Sequence, residues 1–116
     1  MQFNVEYFET LKGDYPAEKF ILSQDNKMQA KIFKNLELLE NKGNELRDPY
    51  SKHLEDGIFE LRTKQGTNIT RVLYFFFVDK KIILTNGFVK KTQKTPRSEI
   101  ELAKKYRTEY QNRGEN

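Results

Sequence analysis

Arg62 and Arg71 sit on two runs that read as adjacent strands joined by a short turn at Gly66. In an antiparallel pair centred on that turn the two positions face each other. Opposed guanidinium groups repel unless a carboxylate or another anion lies between them. Glu60 could supply that carboxylate from within the protein. The alternative is a phosphate clamp, because a guanidinium fork matches phosphate oxygens. Lys90, Lys91 and Lys94, with Arg97 just beyond, form a second basic group. They follow a strand and precede a helix start, where amines and a helix N-terminus together favour phosphate. The competing reading is a solvated lysine run. Lys52 and His53 form a third group. His53 is the one side chain here whose ordinary pKa lies near neutrality, so it could exchange a proton, or simply be a packed or surface histidine. Tyr50 and Phe88 could stack on a base.

Other chemistry finds little support. The chain has no cysteine and one histidine, so thiolate catalysis and His/Cys metal sites have no ligands. No carboxylate cluster is spaced like a calcium loop, and no Gly-rich segment could cradle a nucleotide. No nucleophile elbow surrounds a serine. No metal or cofactor is expected. Arginines with a possible general base, and no metal, fit one reaction well: cleavage of RNA by its own 2'-hydroxyl. A base takes the hydroxyl proton, cations hold the charged phosphorane, and an acid protonates the leaving 5'-oxygen. DNA lacks the hydroxyl.

The elements that must position these residues are legible from the hydrophobic pattern. Val72 to Val78 is an unbroken apolar run of seven residues, too short to cross a membrane and typical of a strand covered on both faces. Asp79-Lys80 breaks it, and Lys81 to Val89 reads as a partner strand. Ile58 to Lys64 is another strand, joined to the long one through a four-residue turn at 65–68. Phe3 to Phe8 alternates and predicts a first strand. Asp14 is the expected cap, and Pro16 a first-turn residue, for a short helix over 17–22 with Phe20 and Ile21 buried. Met28, Ile32, Leu36 and Leu39 predict a helix over 23–41, with Phe33 widening the stripe and Gly43 just past its end. Residues 44–57 read as a loop. Thr95 and Pro96 are the expected start of a last helix, with Ile100, Ala103, Tyr106 and Tyr110 as its apolar stripe. The fold class is α+β: a strand, two helices, three antiparallel strands and a terminal helix.

These elements fill one domain, residues 1–112, with 113–116 expected as a flexible tail. The formal net charge of +4 is concentrated between Asp79 and Ser98, where six basic residues meet one acidic. Such a concentration suits phosphates or an acidic partner. No signal peptide or membrane segment is expected, which points to the cytoplasm.

Three segments carry a family resemblance: Glu60-Leu61-Arg62, Thr70-Arg71-Val72-Leu73-Tyr74, and Phe88-Val89-Lys90-Lys91-Thr92-Gln93-Lys94-Thr95-Pro96. Together they resemble the HigB-type toxins of the RelE/ParE superfamily, in the branch of phage-derived toxin-like proteins. The resemblance is good over 50–110 and extends to the layout of the rest. It implies the toxin of a type II toxin–antitoxin pair, an endoribonuclease that cuts messenger RNA on the translating ribosome. It also implies a HigA-like helix-turn-helix antitoxin as partner. By that resemblance Arg62 and Arg71 are the candidate catalytic residues; His53, whose ordinary pKa lies near neutrality, joins them as candidate proton carrier. Lys52, Lys90, Lys91, Lys94 and Arg97 are the candidate RNA-binding residues. The ParE branch shares the fold and acts on DNA gyrase, so a gyrase-directed toxin is one competing reading. A non-catalytic interaction module is another.

Overall fold

A computed structural model describes residues 2–114. Its centre is a five-stranded sheet in the order β1-β5-β4-β3-β2. The strands are β1 (Asn4–Tyr7), β2 (Ser51–Glu55), β3 (Ile58–Gln65), β4 (Asn68–Phe77) and β5 (Lys81–Val89). β2 to β5 form an antiparallel meander, and β1 returns to pair parallel with β5. The helices are α1 (Pro16–Leu22), α2 (Asn26–Lys42) and α3 (Arg97–Gly114).

The continuous apolar run is strand because β4 lies between two cores. On one face Val72 and Tyr74 pack with Met28, Ile32, Leu36 and Leu39 of α2. On the other, Leu73 and Phe75 pack with Phe8 and Ala103, flanked by Tyr106 and Tyr110 of α3. Alternate residues of one strand therefore feed both layers, and neither side can be polar. Val78, the last member of the run, falls outside β4 and is exposed. Asp79 and Lys80 make the turn with positive φ of 61° and 59°.

Several local expectations change. Residues 44–57 contain β2, where the hydrophobic pattern predicts loop. Its five residues include Lys52 and His53, so only Ser51 is buried outright and the pattern shows no clean alternation. Phe33 does not widen the core stripe of α2; it is 43% exposed. Tyr15, not Asp14, occupies the N-cap of α1, without a side-chain cap bond. Asp25 caps α2 by accepting from the Met28 amide at 2.8 Å. The hairpin between β3 and β4 is tighter than expected: Gln65 and Asn68 pair, leaving Gly66 and Thr67 as the turn. Thr95 turns its hydroxyl to the sheet instead of capping α3. The tail expected from 113 is helical at 113 and 114. Arg113 holds there by donating to the Glu9 carbonyl at 2.7 Å. Residues 115 and 116 lie outside the described residues. Among the described residues no helix is long and apolar enough to cross a membrane.

Candidate functional site

The Gly66 hairpin sets the register that places Arg62 of β3 directly opposite Arg71 of β4. Both side chains project to the α3 side of the sheet, as does Glu60, two residues before Arg62. Glu60 is 2% exposed and Arg71 6%. The Glu60 carboxylate lies 2.9 Å from Arg62 Nε and 3.4 Å from Arg71 Nε. One carboxylate thus relieves the repulsion between two cations. Burial pushes the Arg71 pKa down, while Glu60 opposes that shift. Arginine remains a cation even so. Arg71 also donates to the Thr70 carbonyl at 3.1 Å, and Arg62 reaches the exposed Asp48 at 3.1 Å. Glu60, the internal carboxylate offered by the sequence, therefore pairs with both arginines.

The other Glu60 oxygen accepts from the Thr95 hydroxyl at 2.5 Å. This bond pins the segment between β5 and α3 to the sheet. It also closes one side of an open cleft of about 870 Å³ between residues 92–97 and strands β2 and β3. Lys52, His53, Arg62, Lys94 and Arg97 all line that cleft. Lys52 pairs with Glu60 in the β2–β3 register, so its side chain shares the face of the arginines. Among the described residues Lys52 and Lys94 form no ion pair, leaving their amines available to a ligand.

The remaining candidates are placed differently. His53 pairs with Phe59 and packs edge-on against its ring, with centroids 4.9 Å apart. Its Nε2 accepts from the Gly57 amide at 3.1 Å. The ring therefore turns to the face opposite Arg62 and Arg71, and one nitrogen is occupied. Arg97 is held by Glu55 and Glu101, and Lys104 reaches Glu55 at 2.5 Å. Hydrogen bonds from Arg97 and then Lys104 hold the Glu55 carboxyl down to about 2, and the same Glu55 contact raises the Arg97 pKa. Arg97 is thus a strut between β2 and α3. Lys90 and Lys91 do not line the cleft; the Lys90 amide extends the sheet by donating to the Ile69 carbonyl at 2.8 Å.

Arg71 does not line that cleft; it borders a second one, of about 510 Å³, which it shares with Arg62 beside α2. Lys31 and Lys34 of α2 line it. No sequence signal linked those lysines to Arg62, because only the packing of α2 on β3 brings them together. Among the described residues no group of three or more acidic or histidine side chains could hold a metal ion.

The arrangement suits an anion held by arginines in a partly dry setting, with free amines beside it. The family model described as "Phage derived protein Gp49-like (DUF891)" matches residues 19–108, from α1 through most of α3. A search of curated proteins finds no match. The match takes in every candidate residue of both clefts, and the chain belongs to the Gp49-like family of phage-derived proteins, a family related to RelE and other toxin-like proteins.

Proposed function

We propose that this protein is a ribosome-dependent endoribonuclease, the toxin of a type II toxin–antitoxin pair. The observation that carries the reading is the Arg62–Glu60–Arg71 cluster, with Glu60 and Arg71 buried, beside a cleft lined by two lysines that form no ion pair among the described residues. A phosphorane gains negative charge as the 2'-oxygen attacks. Guanidinium groups already oriented by Glu60 need little reorganisation to meet that charge. Arg71 stabilises the phosphorane, and Arg62, Lys52 and Lys94 hold the flanking phosphates. The base takes the 2'-hydroxyl proton, the P–O5' bond breaks, and an acid protonates the departing oxygen. The products are a 2',3'-cyclic phosphate and a 5'-hydroxyl. Lys52 and Lys94 are better placed than His53 for those proton transfers: both line the cleft beside Arg62 without a bound partner among the described residues, whereas the His53 ring packs on Phe59 and holds the Gly57 amide. His53 would first have to leave Phe59 and Gly57.

A weakly organised proton carrier fits an enzyme completed by its substrate complex, because catalytic contacts often tighten only there. The basic surface also fits neutralisation by a small acidic antitoxin of helix-turn-helix type. Opposite potentials would speed their encounter. The test is to express the protein and map message ends on translating ribosomes. Cleavage within codons, leaving 5'-hydroxyl ends, is expected. Intact messages together with inhibited gyrase would select the gyrase-directed alternative.

A further inference from the structure

The second cleft differs from the first in one respect. Its lining includes Lys31, Lys34, Lys64, Arg62 and Arg71, and no carboxylate, whereas the first is lined by Glu55 and Glu60. Arg62 and Arg71 share Glu60, but Lys31, Lys34 and Lys64 form no ion pair among the described residues. Lys31 donates to the Lys64 carbonyl at 3.2 Å, which holds its amine over the cleft with two N–H donors to spare. The cleft has a fixed shape. Asn35 of α2 donates to the Arg62 carbonyl at 3.2 Å and to the Thr63 hydroxyl at 3.1 Å, locking α2 to β3.

An aromatic residue completes it. Tyr50 lines the same cleft and is 42% exposed. Its backbone is anchored, since its amide donates to the Arg47 carbonyl at 3.0 Å and its carbonyl accepts from the Arg62 amide at 2.7 Å. Uncompensated amines around a concavity call for a polyanion, and an exposed ring among them calls for a planar partner. A single nucleic-acid strand offers both at regular spacing. A duplex does not, because its bases are already stacked.

We infer that this cleft is a second RNA subsite, binding single-stranded nucleotides that flank the reacting phosphate. Phosphates meet Lys31, Lys34 and Lys64, and a base lies against Tyr50. Arg62 borders both clefts, so a strand passes from one to the other across that side chain. The inference rests on the ribonuclease reading and adds the path of the substrate.

The experiment measures binding of fluorescein-labelled oligoadenylates, one short and one long, by anisotropy over a salt series. A 2'-O-methyl backbone prevents cleavage. The proteins are wild type, a Lys31→Gln, Lys34→Gln, Lys64→Gln triple variant, a Lys52→Gln, Lys94→Gln double variant, and Tyr50→Leu. All the lysines changed are exposed, so melting curves should stay close to wild type. The triple variant should bind the long strand at least tenfold more weakly. Its log–log salt slope should fall by about 2, since each phosphate that a lysine no longer neutralises on a single strand lowers it by about 0.7. Tyr50→Leu should weaken binding about tenfold with the slope unchanged. Wild-type affinity and slope in the triple variant, with binding lost in the double variant, would overturn the second subsite while leaving the ribonuclease reading intact. Tighter binding of polyglutamate than of RNA by wild type would assign the cleft to an acidic protein and overturn it. Wild type that neither binds RNA nor cleaves messages would instead overturn the underlying reading, and this inference with it.

Discussion

Replacing Glu60 with alanine should destabilise the domain far more than breaking any exposed ion pair. Glu60 is 2% exposed and serves Arg62 at 2.9 Å, Arg71 at 3.4 Å and the Thr95 hydroxyl at 2.5 Å. Alanine would leave Arg71 buried opposite Arg62 with no counter-charge, and Thr95 without its acceptor. Removing one partner of a buried pair costs about 3–5 kcal/mol. Asp48 still compensates part of the Arg62 charge, which places the expected loss near the lower limit, about 3 kcal/mol. For a domain of this size that lowers the melting temperature by roughly 12 °C. Asp48→Ala, which breaks an exposed contact to the same arginine, should cost less than about 1 kcal/mol. Urea and thermal unfolding of the two variants provide the comparison. A Glu60→Ala protein within about 1 kcal/mol of wild type would refute the electrostatic role assigned to this carboxylate. A Glu60→Leu, Arg71→Met double variant gives a second check. Replacing a buried pair by apolar groups of similar volume is often nearly neutral, so it should recover most of the stability. It should nevertheless be inactive, which separates folding from chemistry.

Three further outcomes follow from individual contacts. Glu55 has its pKa depressed from 4.5 to about 2, so its contribution to stability is present above pH 4.5 and disappears as pH falls towards 2. Glu55→Gln should flatten the acid limb of the stability profile over that window, and an unchanged limb would contradict the Arg97 and Lys104 bridges. Burial raises the Tyr74 pKa from 10.0 to about 12, with Ser51 opposing the rise through its hydrogen bond. That contribution is therefore complete below pH 10 and lost as pH rises through 12. In an absorbance titration one phenol should resist ionisation until that range, and Ser51→Ala should push it higher still; ionisation near 10 would contradict the buried pair. Gly43 has φ of +55°, and a Cβ there would lie 2.0 Å from Phe3 Cε1. Gly43→Ala should cost about 3 kcal/mol in urea unfolding, and a near-neutral result would contradict the close approach of Phe3 to the end of α2.

The parts of the fold that follow a strong period were legible in the chain. The Met28, Ile32, Leu36, Leu39 stripe buries one face of α2 and the β4 run buries both faces of a strand, so pattern and packing agree. The Arg62–Arg71 register was legible too, because the Gly66 hairpin counts residues symmetrically. β2 was not. It lies at the sheet edge and carries Lys52 and His53 outward, so neither alternation nor hydrophobicity distinguishes it from loop. Thr95 shows how tertiary context overrides a local rule: its position suits a cap, but Glu60 offers a buried carboxylate and takes the hydroxyl. Arg97 was misleading for a related reason. A basic residue in a basic stretch reads as free, yet Glu55 comes from β2, the strand that the pattern hid. The second cleft was invisible to sequence because its lysines come from α2 and β3 and its aromatic residue from the approach to β2.

Stabilisation of the phosphorane by Arg71 is the central claim, and an Arg71→Lys variant tests it most directly. Lysine keeps the positive charge near Glu60 but loses the guanidinium fork. Circular dichroism and melting establish that the variant is folded, and co-sedimentation measures its association with translating ribosomes. Message ends are then mapped over time beside wild type. Ribosome association should be unchanged and cleavage slowed by about 100-fold, the scale of removing one transition-state interaction of about 3 kcal/mol. Cleavage at the wild-type rate by the folded variant would contradict the claim.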